Sequence, residues 1–344
     1  MFRSTHILAT LLGLPLLTSV QAQELEEVIV HGEKIDRSLQ ETPTSIAVTT
    51  AQRIEEEKLQ RLQDVYNRTA NVAETYGSAG FTIRGIANNG VSSAGSAPLA
   101  TVYLDGAALP SSVLYGAPTD LWDVSQVEIL RGPQSTLQGL NTLAGAVIIR
   151  TNDPGKEWNG RARTYFTDAD EQVYSLAAGG PVIGEELGMR MAVEYRDAER
   201  FIRNVTRNEP EDPLESLNVR GVLKWTPSAL PDLEARLHYT FFERDGGYSF
   251  MYTDATVDDY FDHRTNASDE PNTGNVDISI ANLEVSYRLS DTFRLSAVTS
   301  FNDATEQTSF DNDYTPARIG YGGQNRDYQT WSQELRLSFE TGRL

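Results

Sequence analysis

From about Trp158 onward, apolar and polar residues alternate with a period of two. Leu187, Met189, Met191, Val193 and Tyr195 alternate with Arg190, Glu194 and Arg196. Leu233, Ala235, Leu237, Tyr239 and Phe241 alternate with Glu234, Arg236, His238 and Thr240. The same rhythm returns in Leu283 to Leu289, Phe293 to Phe301 and Trp331 to Phe339. Successive side chains of a strand point to opposite faces, so each run predicts a strand with one greasy and one charged face. Eight strands can be counted. Their connections alternate in length: long near 199–215, 244–274 and 304–329, tight near 181–186, 227–231 and 290–291, with one short exception near Asp168-Ala169-Asp170. A soluble sandwich also alternates. Brief turns at one end and long loops at the other, with Tyr165, Tyr195, Trp225, Phe241, Tyr287 and Trp331 available for aromatic girdles, favour antiparallel transmembrane β-barrel strands.

Beyond the N-terminus no stretch is apolar over the roughly eighteen residues that a membrane helix needs. The N-terminus itself reads as an export signal over residues 1–22: Arg3 supplies a positive start, Ile7 to Leu17 an apolar core, and Val20-Gln21-Ala22 the small residues of a cleavage site. With 49 acidic against 29 basic residues the chain repels polyanions, so nucleic acid is not an expected partner. It has no cysteine, hence no disulfides.

Residues 39–154 follow a mixed pattern and read as an α+β domain. Thr44 to Val48 predicts a strand, Thr50 a helix cap, and Ile54, Leu59, Leu62 and Val65 lie at roughly helical spacing, with a break near Lys58 to Arg61. Thr101 to Gly106 predicts a strand running into a hairpin turn. Then comes Gln126 to Pro154: an apolar run, Val127-Glu128-Ile129-Leu130, stops at Arg131-Gly132-Pro133, a loop with Gly139 and Gly145 follows, and Val147-Ile148-Ile149 enters a turn at Asn152-Asp153-Pro154. That is strand, loop, strand.

This stretch, together with Gly80-Phe81-Thr82-Ile83-Arg84-Gly85-Ile86, resembles the plug domain of TonB-dependent outer-membrane receptors. The segment Glu24-Leu25-Glu26-Glu27-Val28-Ile29-Val30, within residues 23–38, is similar to that family's TonB box. Three β-branched or aliphatic residues after acids suit an extended segment that adds to a sheet edge. The resemblance implies that Glu26, Glu27, Val28, Ile29 and Val30 engage the TonB energy-coupling protein. It implies a plug, residues 39–154, inside a barrel that begins at 155. Family barrels close with about twenty-two strands, and an eight-stranded one is filled by its own side chains. About eight strands over 155–344 therefore make an incomplete barrel, and the chain reads as the N-terminal part of a longer receptor in the bacterial outer membrane, in contact with its lipid.

Arg84 and Arg131 each end an apolar strand before a glycine, and a buried guanidinium needs carboxylates. In the family such arginines lock plug to barrel; Glu334, in inward register, is the candidate partner. His238 falls on the lumen-facing register, as a ligand contact or a plain wall residue. Asp259, Asp262 and His263 crowd the longest loop, as ligand contacts or a solvated acidic surface. No catalytic constellation or metal-loop spacing is visible, so neither enzymatic activity, a metal site nor a cofactor is expected. The implied function is TonB-dependent uptake of a scarce small molecule, by family default a ferric siderophore. Cobalamin or oligosaccharide uptake and a passive channel are the alternatives.

Overall fold

The computed structural model describes residues 27–35, 37–75, 80–88, 98–110, 119–139, 141–167, 170–199, 201–248 and 264–339. Its first part contains β1 (Ile29–Val30), β2 (Arg37–Ser38), β3 (Ile46–Thr50), α1 (Ala51–Glu56), α2 (Leu62–Arg68), β4 (Val72–Thr75), β5 (Gly80–Ile83) and β6 (Ile86–Ala87). These are followed by β7 (Ala100–Leu104), β8 (Ala107–Ala108), β9 (Val124–Arg131), α3 (Ser135–Gln138) and β10 (Gly145–Thr151). Thr50 is extended and its hydroxyl accepts from the Arg53 N–H at 3.4 Å, so α1 starts at the cap legible in the sequence. Lys58, at φ 53°, interrupts the helical path and α2 resumes at Leu62.

β9 and β10 pair antiparallel, Gly145 opposite Arg131 and Val147 opposite Ile129, and they form the centre of a five-stranded sheet in the order β3-β9-β10-β7-β8. Both faces of this pair are covered. Val127, Ile129, Val147 and Ile149 join the buried residues of α1 and α2 in one core, while Leu130, Ala146 and Ile148 form a second cluster on the opposite side. Two-sided burial explains why these runs are continuous rather than alternating.

The second part contains β11 (Asn159–Phe166), β12 (Gln172–Ile183), β13 (Leu187–Ala198), β14 (Ile202–Asn204), β15 (Glu209–Pro210), β16 (Leu214–Trp225), β17 (Leu233–Gly246), β18 (Arg264–Asn266), β19 (Thr273–Arg288), β20 (Phe293–Asp311) and β21 (Tyr321–Phe339). Eight of them make one antiparallel sheet, β11-β12-β13-β16-β17-β19-β20-β21, each strand beside the next long one in the chain. β11 and β21 are its two edges and are not paired with each other, so the sheet is open among the described residues.

The long connection expected over 304–329 is shorter. β20 runs to Asp311 and β21 begins at Tyr321, leaving residues 312–320 between them. Thr, Ser, Gln and Asp residues there pair in the ladder without apolar alternation, which is required only where a strand faces hydrocarbon. The two other long connections contribute β14, β15 and β18, which form a small sheet of their own. It is tied by buried Asn204, whose amide donates to Glu211 Oε2 at 2.7 Å and to the Ser268 carbonyl at 2.9 Å.

Burial in the eight-stranded sheet is inverted relative to a soluble protein. Leu176, Met191, Leu223, Leu237, Tyr239, Leu283, Trp331, Leu335 and Leu337 are exposed, whereas Arg190, Glu194, Arg196, Asn218, Arg220 and Asn282 are buried. Such a sheet suits apolar surroundings outside and a polar filling inside. No helix among the described residues is long and apolar enough to cross a membrane, which leaves crossing by strands open.

Candidate functional site: the seam between plug and wall

The inward register of the wall presents Arg161 and Arg163 from β11, Arg190, Glu194 and Arg196 from β13, Arg220 and Lys224 from β16, and Arg236 and His238 from β17. A guanidinium removed from water needs partners, and the plug supplies them chiefly from the segment entering β9, Thr119-Asp120-Leu121-Trp122-Asp123.

Asp123 is the hub. Its backbone is left-handed, φ 57°, a conformation that Asp and Asn tolerate better than most residues. Its carboxylate takes a bidentate pair from Arg190, Nε at 2.7 Å and Nη2 at 2.6 Å, a third contact from Arg161 at 3.3 Å, and the Asn152 amide at 3.0 Å. The side chains of Arg190 and Asp123 are only 7% and 3% exposed.

Trp122 lies under two guanidinium groups, Arg161 at 4.4 Å and Arg163 at 4.9 Å from the ring centre. Its indole N–H donates to the Leu176 carbonyl at 3.2 Å. Arg220 reaches back to the Trp122 carbonyl at 2.7 Å and the Asp120 carbonyl at 2.9 Å. The Asp120 carboxylate pairs with Arg196 at 3.0 Å, and Arg196 also holds Glu171, which in turn meets Arg61 of the plug at 3.1 Å.

Two further carboxylates extend the seam. Asp153 sits between Lys224 at 3.2 Å and Arg236 at 3.1 Å. Burial opposes its ionisation, but the two cations outweigh burial and hold its carboxyl below the usual range. Asp105 accepts from the Thr151 N–H at 2.8 Å and hydroxyl at 2.9 Å, while its own carbonyl accepts from Asn282 of β19.

The lock expected from the sequence has the opposite polarity here: plug carboxylates meet wall arginines. Arg131 donates to the Ala70 carbonyl at 3.1 Å and the Ile46 carbonyl at 3.3 Å, both within the plug. Arg84 is exposed, at φ 53°. Glu334 is taken by Lys34 and Arg336, so neither Arg84 nor Arg131 meets it among the described residues. His238 does face inward, but it is 6% exposed, with Nδ1 3.6 Å from Asp105 Oδ2, so the described geometry closes it beneath the plug rather than opening it to a ligand. Asp259, Asp262 and His263 lie outside the described residues, as do the export signal and Glu26.

Sequence reasoning missed Asp105, Asp120, Trp122, Asp123 and Asp153. The signal was present in the wall: six arginines on inward positions of four strands demand acids from whatever fills the lumen.

Of the coupling segment, Glu27 is exposed, Val28 is half-buried with its carbonyl accepting from Leu39 N–H at 2.9 Å, and Ile29 and Val30 form β1 against β2. Val30 is fully buried. Lys34, just after it, pairs with Glu334 on β21, and Arg336 donates to the Lys34 carbonyl at 3.2 Å. The segment therefore lies against the wall toward the end at which β19 and β20 are joined by a short turn. On the plug sheet, burial pushes the Tyr103 hydroxyl up to about 12, with Glu334's charge adding to the effect; it donates to the Gln138 carbonyl at 3.0 Å.

A mixed domain seated by buried ion pairs on the inner face of an outward-greasy antiparallel sheet defines a plugged β-barrel protein. Residues 38–146 match the TonB-dependent Receptor Plug Domain. The matched plug domain takes up residues 38–146, and the eight-stranded sheet that follows it shares its fold with part of a solved receptor. The chain is 28% identical over 179 residues to lactoferrin-binding protein A of Neisseria meningitidis, covering 47% of this chain and 19% of that protein. It is 24% identical over 148 residues to the ferrioxamine B receptor of Salmonella typhimurium, covering 42% and 21%. In structure it is similar to the ferric yersiniabactin uptake receptor of Yersinia pestis, with a TM-score of 0.74 at 16% identity over 88% of this chain and 46% of that one. The chain thus spans less than half the length of these proteins.

Proposed function

We propose that the chain is part of an outer-membrane receptor that takes up a ferric siderophore by TonB-dependent active transport. The observation that carries this reading is the plug itself, seated across the polar inner face of the sheet with its N-terminal strand toward the short-turn end. A passive channel has no use for such a filling. The names of the relatives support the cargo: a ferrioxamine B receptor and a ferric yersiniabactin uptake receptor are among them. Lipid tolerates no open sheet edge, so the free edges of β11 and β21 support a barrel completed by further strands. On that reading Arg84, exposed here, faces the completing wall and finds a carboxylate there, while Arg131 stays on the plug carbonyls. Glu26 to Val30 would bind the TonB energy-coupling protein by strand addition, and Asp259, Asp262 and His263 would meet the ligand from outside.

The test is uptake of radioiron, offered as hydroxamate, catecholate and mixed chelates, by receptor-deficient cells expressing the complete reading frame. Deletion of residues 26–30 is expected to abolish accumulation and leave surface binding intact. Accumulation that survives the deletion refutes energised coupling, and absence of binding to every iron chelate refutes the cargo.

A further inference from the structure

In β1 the backbone groups of alternate residues face opposite edges. Val28 and Val30 belong to the edge that pairs with β2, as the Leu39 N–H to Val28 carbonyl bond shows. Ile29 and His31 belong to the other edge, the one available to an incoming strand. That edge is already occupied, and not by a strand. The Gln126 amide donates to the Ile29 carbonyl at 2.8 Å, and Glu128 Oε1 accepts from the His31 N–H at 2.9 Å. Glu128 Oε2 accepts from the Gly32 N–H at 2.7 Å, and Gln126 donates to Glu128 Oε1 at 2.8 Å.

An amide and a carboxylate, two residues apart on β9 and bonded to each other, thus stand where the N–H and C=O of a neighbouring strand would stand. Glu128 is fully buried, and its two oxygens are met by these donors. The fit is close. A Cβ on Gly32 would lie 2.7 Å from Glu128 Oε2, 2.8 Å from a Leu130 methyl and 2.9 Å from an Ile148 methyl.

We propose that Gln126 and Glu128 form a side-chain surrogate strand that masks the free edge of β1, so that an extended partner strand engages this edge only after the clamp opens. The proposal deepens the coupling role given above to residues 26–30 and rests on it for the partner's identity. The clamp itself is testable without any partner. Opening it removes a charge-assisted bond from two backbone donors, and a closed and an open state with different affinity for the partner make a threshold for engagement.

The chain contains no cysteine, so Val30→Cys introduces a unique thiol at a fully buried position of β1. Maleimide labelling of the full chain in detergent then reads opening of the clamp. Glu128→Gln turns one acceptor into a donor facing donors, and Gly32→Ala wedges the segment away without touching the carboxylate. Both are expected to speed labelling at position 30 roughly ten- to a hundredfold, the range of a hydrogen bond to a charged group. Val147→Cys, buried in the plug core, is the reference site and should keep its slow rate in both backgrounds. Unchanged labelling at position 30 in both variants overturns the clamp, and so does equal acceleration at positions 30 and 147. If labelling responds as expected while deletion of residues 26–30 leaves uptake intact, the coupling reading fails and the clamp stands.

Discussion

Replacing Asp123 by Asn tests the charge at the hub of the seam with little other disturbance. Asn accepts the left-handed backbone of this position as Asp does, so φ 57° adds no strain. The shape is kept and the charge is lost. Arg190, with a side chain 7% exposed, then keeps the Asn159 side-chain oxygen at 3.0 Å and one neutral amide oxygen at position 123, while the new NH2 group points a donor at guanidinium donors. Removing one partner of a buried ion pair costs about 3 to 5 kcal/mol, because the other charge stays behind without compensation. At about 1.4 kcal/mol per factor of ten, local opening of the seam becomes roughly a hundred- to several-thousandfold more frequent. Hydrogen exchange at the Asn152 amide, which donates to the Asp123 carbonyl at 3.1 Å, reports that opening directly. Exchange there should accelerate by this factor while the β19–β20 ladder is unaffected. A second variant, Arg190→Met, removes the other charge, and the double variant should recover part of the loss because the two effects are coupled. Acceleration below tenfold in Asp123→Asn, or strict additivity in the double variant, would refute the claim that this pair seats the plug.

Further outcomes follow from the same geometry. The Asp153 carboxyl is held below its ordinary range by Arg236 and Lys224, so its contribution to seating is complete above the pKa of an unfolded aspartate and is lost as pH falls through the depressed value. A carboxyl resonance of Asp153 that titrates at or above the ordinary aspartate range would contradict this. Trp122→Phe removes the indole bond to Leu176 and weakens the stacking of Arg161 and Arg163, with an expected loss of about 1 to 3 kcal/mol, read as faster exchange at Val124. His238→Leu should leave iron-chelate affinity within about twofold and stability unchanged or raised, since both ring nitrogens are buried without a hydrogen-bond partner; a tenfold loss of affinity in a binding titration would show that the ring reaches the ligand.

The elements whose cause is local were legible in the sequence. Thr50 caps α1 because its hydroxyl reaches a donor three residues on, Lys58 interrupts the helix by its own backbone angle, and the eight long strands announce themselves through the alternation of their faces. Connection lengths were read well where turn residues bound them and poorly at 304–329, where polar strand ends look like loop. Alternation also told which wall residues face inward: Arg190, Arg196, Arg220 and Arg236 share that register with His238.

What the sequence could not decide is which plug group meets which wall group, because an ion pair is set by the docking of two surfaces whose residues lie far apart in the chain. Arg131 follows an apolar strand and looks like a lock, yet strand pairing turns it onto the carbonyls of Ala70 and Ile46. Asp123 sits in an unremarkable turn, yet it receives Arg190 from sixty-seven positions away. Alternation and capping act within a few residues and are written in the chain; the sign and partners of the seam exist only once the plug is seated on the wall, and the side-chain clamp only once β1 is packed against β9.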